Sequence, residues 1–443
     1  MCTSPLHLVR PQFGFNLDVP CNDCLECRSA SQDSWIFRLG QDLKDLYAHR
    51  GFAVFLTFTY NENSLPHTSF GFNDSEVPCF SSDHVSSLIN KIKVYMHRTY
   101  GKGSYRYFWC SEYGKFTKRP HYHVLFMLNR NVDYYTFCET CRKYWKYGFM
   151  FPKNQNGIYV DNDGNRTTPL LHHVQNACSY VCKYITKDLD YCNIPLVKRY
   201  LEVRRDLPKE VRSHFNRCLP RHWQSKGIGS SYLSSLRTPA DLMVAVDHGV
   251  SNPTNLRNMQ LPRYYLEKLC FTHTRMVVRG IPVVLRELKE DYALVVRKVH
   301  ENTFRSKISA LHNFIINSNL NQFQKYGYSF SDLKLVKSFS GHVEELFCKY
   351  FVNNLSPKAK YLFFLNKYNF CVPDILDLRM KLYDHVIDDL DDNYFFDSDA
   401  DRVLSCFNNI VLPYRADVNK IAYEKYLINK KLRLLNKHLI CNE

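Results

Sequence analysis

The chain has 443 residues, 45% of them hydrophobic, which provides apolar material for a sizeable core spread over two or three domains. Its formal net charge is +16 and 15% of its residues are aromatic, a balance that draws polyanions and puts nucleic acid first among partners. The opening MCTSPLHLVRPQFGFN lacks the apolar core of a secretory signal, and no segment supplies the roughly 18 consecutive apolar residues of a membrane span. With seventeen cysteines, an odd number, and no export signal, the thiols read as mostly reduced and buried in a cytoplasmic protein, with no membrane partner.

In chain order, the first feature is a cysteine group. Cys21, Cys24 and Cys27 form CxxCxxC, with Cys2 available as a fourth ligand, while Cys138 and Cys141 form a distant CxxC. Such spacing can converge on structural Zn²⁺, which takes four ligands. Buried thiols are the competing reading, and on spacing alone the stronger one.

Residues 35–49 have the apolar spacing of a helix through Trp35, Leu39, Leu43 and Leu46. FAVFLTFTY, 52–60, reads as a largely buried strand with Thr57 and Thr59 on one face. Residues 61–81 look like a loop, and 82–97 a helix capped by Ser81 or Ser82. Two strands follow, 105–112 and 121–128, and then a helix over 132–145 and an exposed turn or hairpin over 157–169. A further helix is expected over 177–189, ACSYVCKYITKDL, despite its β-branched positions. Residues 198–226 carry nine basic against three acidic side chains, including Arg199, Arg204, Arg205, Arg212, Arg217, Arg221 and Lys226. That stretch suits a DNA-backbone track, although a solvated charged helix would look the same. Beyond it the chain is expected to be mainly helical, around 283–325 and 376–443, with no catalytic spacing.

On a strand, His121 and His123 project to one side and Tyr122 to the other, so two neutral imidazoles can hold one divalent metal. An isolated HxH pair is weak evidence, and a structural pair is the ordinary reading. Glu112 strengthens the case: in a hairpin it can lie opposite His121 and add a carboxylate, which favours Mg²⁺ or Mn²⁺. An ordinary cross-strand Glu–His pair competes with this. Tyr180 and Tyr184, four residues apart, share a helix face that Lys183 and Lys187 can also reach. Core packing is the usual meaning of two such aromatics. As a nucleophile, a phenol of pKa near 10 needs a polarised phosphate or nearby positive charge, which the metal and a lysine could supply.

Taken together, VPCNDCLECR, FLTFTY followed by SLP, SEYG with RPHYHVLF, SYVCKYITK, PRHWQSKGIG and LPRYYLEKL resemble the replication-initiation proteins of microviruses, especially the gokushovirus branch, within the HUH endonucleases. The likeness spans about residues 20–270. It implies an α+β fold, an antiparallel sheet with packed helices in a split βαβ arrangement, with His121 and His123 on a central strand and the tyrosine helix across the metal-bearing face. The domains expected are an N-terminal cysteine-containing extension and helix, 1–49, an endonuclease domain with its basic extension, 50–270, and the mainly helical 271–443.

By this resemblance His121, His123 and Glu112 are metal ligands, Tyr180 and Tyr184 are paired catalytic tyrosines, and Lys183 is the lysine between them. The implied reaction is nicking of the viral strand at the origin of circular phage DNA, leaving a 3′-hydroxyl and a 5′-phosphotyrosyl bond, with later rejoining. The implied partners are origin DNA, double-stranded and locally single-stranded, and the host helicase and DNA polymerase in the bacterial cytoplasm. Two rivals remain open on the residues themselves: a zinc-stabilised nucleic-acid-binding protein without cleavage activity, and a metal-dependent nuclease that uses water.

Overall fold

The computed structural model describes residues 2–3, 5–10, 15–22, 24–69, 76–114, 119–174, 219–278 and 281–317, with single positions within 177–182, 203–212 and 412–429. The chain divides into two compact units, Ser29–Glu267 and a second combining Met1–Arg28 with Lys268–Glu443.

A hairpin, β1 (Leu6–Arg10) and β2 (Phe15–Val19), precedes the long helix α1 (Leu25–Ala48). This helix starts ten residues earlier than its apolar spacing suggests, because the first turns, LECRSASQDS, carry no apolar stripe for a periodicity to detect. Strand β3 (Phe52–Tyr60) follows as expected. The expected loop contains a short hairpin, β4 (His67–Ser69) with β5 (Glu76–Pro78), too brief to leave a pattern. Helix α2 (Ser82–Tyr100) begins at Ser81, whose hydroxyl accepts from the His84 N–H.

Next come β6 (Tyr105–Tyr113), β7 (Pro120–Leu128) and α3 (Tyr134–Tyr144), capped by Asp133. Three short strands follow, β8 (Gly148–Phe151), β9 (Lys153–Gln155) and β10 (Ile158–Val160), with β9 and β10 forming a hairpin. The two-residue β11 (Leu170–Leu171) and the three-residue β12 (His222–Gln224) then add to the main sheet from far along the chain.

The sheet order is β11-β3-β7-β6-β12, with β8 also pairing β3, and each of these pairings is antiparallel. Strands β3 and β6 both run antiparallel to β7, so they are parallel to each other; α2 joins them and β7 fills the gap between. This is the split βαβ arrangement, and β7 is its central strand.

Each face of the sheet is covered. On one, Val85, Leu88, Ile92 and Met96 of α2 and Phe137, Cys138 and Cys141 of α3 pack against Leu56, Phe58, Trp109, Tyr122, Val124 and Phe126. Cys138 and Cys141 are therefore core thiols; burial pushes Cys138 up to about 12. On the other face, Trp35, Ile36, Leu39 and Leu43 of α1 cover Ala53, Phe108, Cys110, Leu125 and Met127. Ala177, Cys178, Val181 and Cys182, all helical and fully buried, pack into that same cluster.

Buried polar contacts fix α1 to its neighbours in the sheet and beyond β12. Asp42, 0% exposed, accepts from Arg106 Nη1 at 2.7 Å and from Ser231 Oγ at 2.9 Å. Arg38 is sandwiched between the rings of Trp35 and Tyr264 and donates to the Ile228 carbonyl. Helices α4 (Pro239–His248) and α5 (Arg263–Leu269) flank a two-residue hairpin, β13 (Val250–Ser251) with β14 (Asn258–Met259).

The expectation of helix from about residue 283 requires correction. Strands β15 (Phe271–Val278) and β16 (Ile281–Leu288) form a hairpin there, and helix α6 (Ala293–Asn317) starts only after it. The sequence IPVVL is β-branched and holds a proline, both unfavourable in a helix interior, so local chemistry prevails over a loosely periodic apolar pattern. The described positions between 412 and 429 are helical. Among the described residues no helix is long and apolar enough to cross a membrane.

The Asp42 contacts generate a stability test. Arg106→Leu leaves a fully buried carboxylate without its cationic partner and should cost about 3 kcal/mol in chemical denaturation, whereas substitution of exposed Lys102 should leave the midpoint unchanged.

Candidate metal and nucleic-acid site

The site arises from strand register. Because Glu112 pairs with His121, Cys110 with His123, and Thr57 with His123 across β6, β7 and β3, these side chains share one face of the sheet. Glu112 Oε2 lies 3.0 Å from His123 Nε2 and 3.4 Å from His121 Nε2. One ligand atom from each of the three residues falls within 4.8 Å of the others. Glu112 is 6% and His123 7% exposed, while the His121 side chain, at 20%, is the open side of the cluster.

The outer nitrogen of each ring is held as well. His121 Nδ1 lies 3.2 Å from the Arg119 carbonyl, and His123 Nδ1 lies 3.0 Å from Thr57 Oγ1. A carbonyl only accepts, so His121 Nδ1 carries the proton and its neutral ring presents an Nε2 lone pair to the carboxylate. Two electron-rich atoms at 3.4 Å repel unless a proton or a metal cation lies between them. Thr57 can donate or accept, so it suits either tautomer of His123. Phe55 stacks on the His123 ring at 5.7 Å and limits its rotation. These residues thus fit a divalent cation in donor type, convergence and orientation of the rings.

Tyr122, the bulky residue between the histidines, points to the opposite face, where its hydroxyl meets Tyr60 at 2.9 Å and accepts from the Ser81 N–H. Burial pushes both of these phenols well above the usual tyrosine range, so they stay protonated and structural. Tyr47, on the helix that covers the cluster's face, donates to the Leu171 carbonyl, and burial pushes it up to about 12.

The remaining site expectations divide between the described residues and those beyond them. Tyr180, Lys183, Tyr184 and Lys187 lie outside the described residues, as do Arg199, Arg204, Arg205 and Arg217. The helical positions that frame the tyrosines in sequence, Ala177, Cys178, Val181 and Cys182, pack on the face of the sheet that carries His121, His123 and Glu112. Gln32 of α1 donates to the Cys182 carbonyl at 3.1 Å. Arg212, Arg221 and Lys226 are exposed. Arg221 joins the site's own strand: its N–H donates to Ser111 Oγ, and its carbonyl accepts from the Ser111 N–H, one residue from Glu112.

Thr57 and the Arg119 carbonyl are participants that sequence pattern alone does not assign. Thr57 is legible as a residue facing one side of a strand, but its partner is 66 residues away and emerges only once β3 and β7 are in register.

Fold and site together define a class. Residues 53–189, which include the sheet strands β3, β6 and β7 and all three clustered ligands, match the family of replication-associated proteins typified by ORF2. Over 268 residues the chain is 24% identical to the replication-associated protein ORF2 of Spiroplasma virus 4, covering 56% of this chain and 67% of that protein. These two matches support a viral replication initiator of the microvirus type. No solved structure matches.

The ring orientation can be measured. In nitrogen-15 NMR at mildly alkaline pH, metal-free His121 should appear as the Nδ1–H tautomer; a dominant Nε2–H form would contradict the Arg119 contact.

Proposed function

We propose that this replication initiator nicks one strand of a circular viral DNA at its origin, with Tyr180 or Tyr184 as nucleophile and a divalent cation, Mg²⁺ or Mn²⁺, held by His121, His123 and Glu112. The observation that carries this reading is the meeting of the two Nε2 atoms and the Glu112 carboxylate on the sheet face against which Ala177, Cys178, Val181 and Cys182 pack. A metal ligand set and the chain segment bearing two phenols therefore belong to one layer of the fold. When bound, the cation supplies Lewis acidity to a non-bridging phosphate oxygen.

The chain's own residues account for the rest of the chemistry. The phenolic oxygen attacks phosphorus in line with the leaving 3′ oxygen; the phosphorus–O3′ bond breaks as the tyrosyl bond forms, and the proton given up by the phenol is balanced by one gained on the 3′-hydroxyl. Lys183 or Lys187 stabilises charge on the non-bridging oxygens. The phosphotyrosyl bond conserves the energy of the original phosphodiester, so rejoining requires no ATP. With two tyrosines, one holds the displaced 5′ end while the other cleaves the regenerated origin, and the freed 3′-hydroxyl closes the circle. Arg199, Arg204, Arg205, Arg212, Arg217, Arg221 and Lys226 bind phosphate along the strand. The released 3′-hydroxyl serves the host polymerase while the host helicase opens the duplex.

The test uses full-length protein, circular duplex viral DNA or an origin oligonucleotide, and Mn²⁺ or Mg²⁺. A covalent protein–DNA adduct is expected on a denaturing gel. Changing both Tyr180 and Tyr184 to Phe should abolish it while DNA binding persists, and His121→Ala with His123→Ala should lower nicking roughly 100-fold or more. Cleavage without an adduct would favour a water-using nuclease, and binding without cleavage would favour a DNA-binding module.

A further inference from the structure

The N-terminal cysteines form a second cluster that the nicking reaction does not use. Cys2 precedes β1 and Cys21 follows β2, so these two thiols come from the open end of one hairpin. Cys24 immediately precedes α1 and Cys27 lies in its first turn. The four sulfurs fall within 4.8 Å of one another.

Three features distinguish this group from cysteines that merely share a neighbourhood. The first is spacing. Cys2 Sγ lies 3.5 Å from Cys21 Sγ and 3.8 Å from Cys24 Sγ. A tetrahedron with zinc–sulfur bonds of about 2.3 Å has edges of about 3.8 Å, so these separations suit four thiolates around one ion. They are far beyond the roughly 2.05 Å of a disulfide bond.

The second is hydrogen bonding toward sulfur. The Cys21 N–H donates to Cys2 Sγ at 3.3 Å, the Cys24 N–H to Cys21 Sγ at 3.2 Å, and the Thr3 N–H to Cys24 Sγ at 3.5 Å. Backbone donors aimed at sulfur stabilise thiolates and orient them, as outer partners do at metal sites. The positive end of α1 acts in the same direction on Cys24 and Cys27.

The third is the turn. Asn22 has φ +60°, a left-handed conformation that Asn tolerates better than most side chains, and it bends the chain between Cys21 and Cys24. Thr3 Oγ1 also donates to Glu26 Oε2 at 3.1 Å, fastening the segment that brings Cys2 to the start of α1.

We infer that Cys2, Cys21, Cys24 and Cys27 bind one structural Zn²⁺ that clasps the base of the β1–β2 hairpin to the first turn of α1. Four sulfur ligands close the coordination sphere, leaving no position for a phosphate or a water, so the ion is structural rather than catalytic. Its donors are soft, whereas the Glu112–His121–His123 group offers oxygen and nitrogen; the two sites therefore select different metals. Binding displaces the thiol protons, and the ion contributes directly to folding of this segment.

The experiment uses the full chain purified under reducing conditions. Metal analysis after dialysis against Mg²⁺ should find one zinc ion per chain, retained when His121 and His123 are both changed to Ala. After exchange with Co²⁺, thiolate-to-cobalt charge-transfer absorption and the intense visible bands of a tetrahedral sulfur site should appear. Cys21→Ser and Cys24→Ser should each remove most of that absorption. The wild-type cobalt spectrum needs no variant, so misfolding of a serine variant does not rescue the proposal. Absence of the charge-transfer band, or loss of zinc in the histidine variant alone, would overturn it, and neither result bears on the nicking reaction.

Discussion

The register between β7 and its two neighbours is the constraint on which the rest of the molecule depends. Glu112 opposite His121 and Thr57 opposite His123 bring a carboxylate, two imidazoles and an orienting hydroxyl together without irregular backbone. A slip of one residue would turn His121 and His123 toward the helices α2 and α3 and expose Tyr122 and Val124 on the opposite side, exchanging a polar set for an apolar one. The apolar residues therefore enforce the register that the polar ones exploit. Tyr122, Val124, Phe126 and Leu128 are all essentially inaccessible in one cluster, while Leu125 and Met127 are buried in the other.

Both faces of this sheet are covered, but unequally. The face under α2 and α3 is filled with aromatic rings, whose few hydroxyls pair with one another, as Tyr60 does with Tyr122. The opposite face is apolar under the middle of α1 and polar only at the end of β7 where the histidines lie. Burying Glu112 and His123 is costly unless their charges and lone pairs are matched. A fold that retains such a group next to an otherwise ordinary core has a local conflict between stability and chemistry, which is the usual mark of a working site.

The two cysteine motifs illustrate how little spacing alone settles. Cys138 and Cys141 have the CxxC spacing of a metal pair, yet their helix turns both thiols into the core. Cys21, Cys24 and Cys27 have a less familiar spacing, and what completes them is Cys2, separated by an entire hairpin. In each case the thiol environment comes from the element carrying it and from the layer that element packs against.

From its residues alone, the chain determined the strand–helix–strand–strand run 52–128, the placement of His121 and His123 on one side of a strand, and the candidacy of Glu112, because alternation and helical periodicity are local properties of a backbone. Those residues also carried the family likeness. Only the tertiary structure decided that β7 is central, that β11 and β12 complete the sheet from 42 and 94 residues beyond its end, and that Thr57 and Arg119 orient the two rings. It also decided that the region after residue 270 begins as a hairpin. Pairing partners of two- and three-residue strands leave no periodic trace, and contacts between residues far apart in sequence exist only after the layers have packed; that is why the chemistry-bearing residues were legible early and the geometry that makes them a site was not.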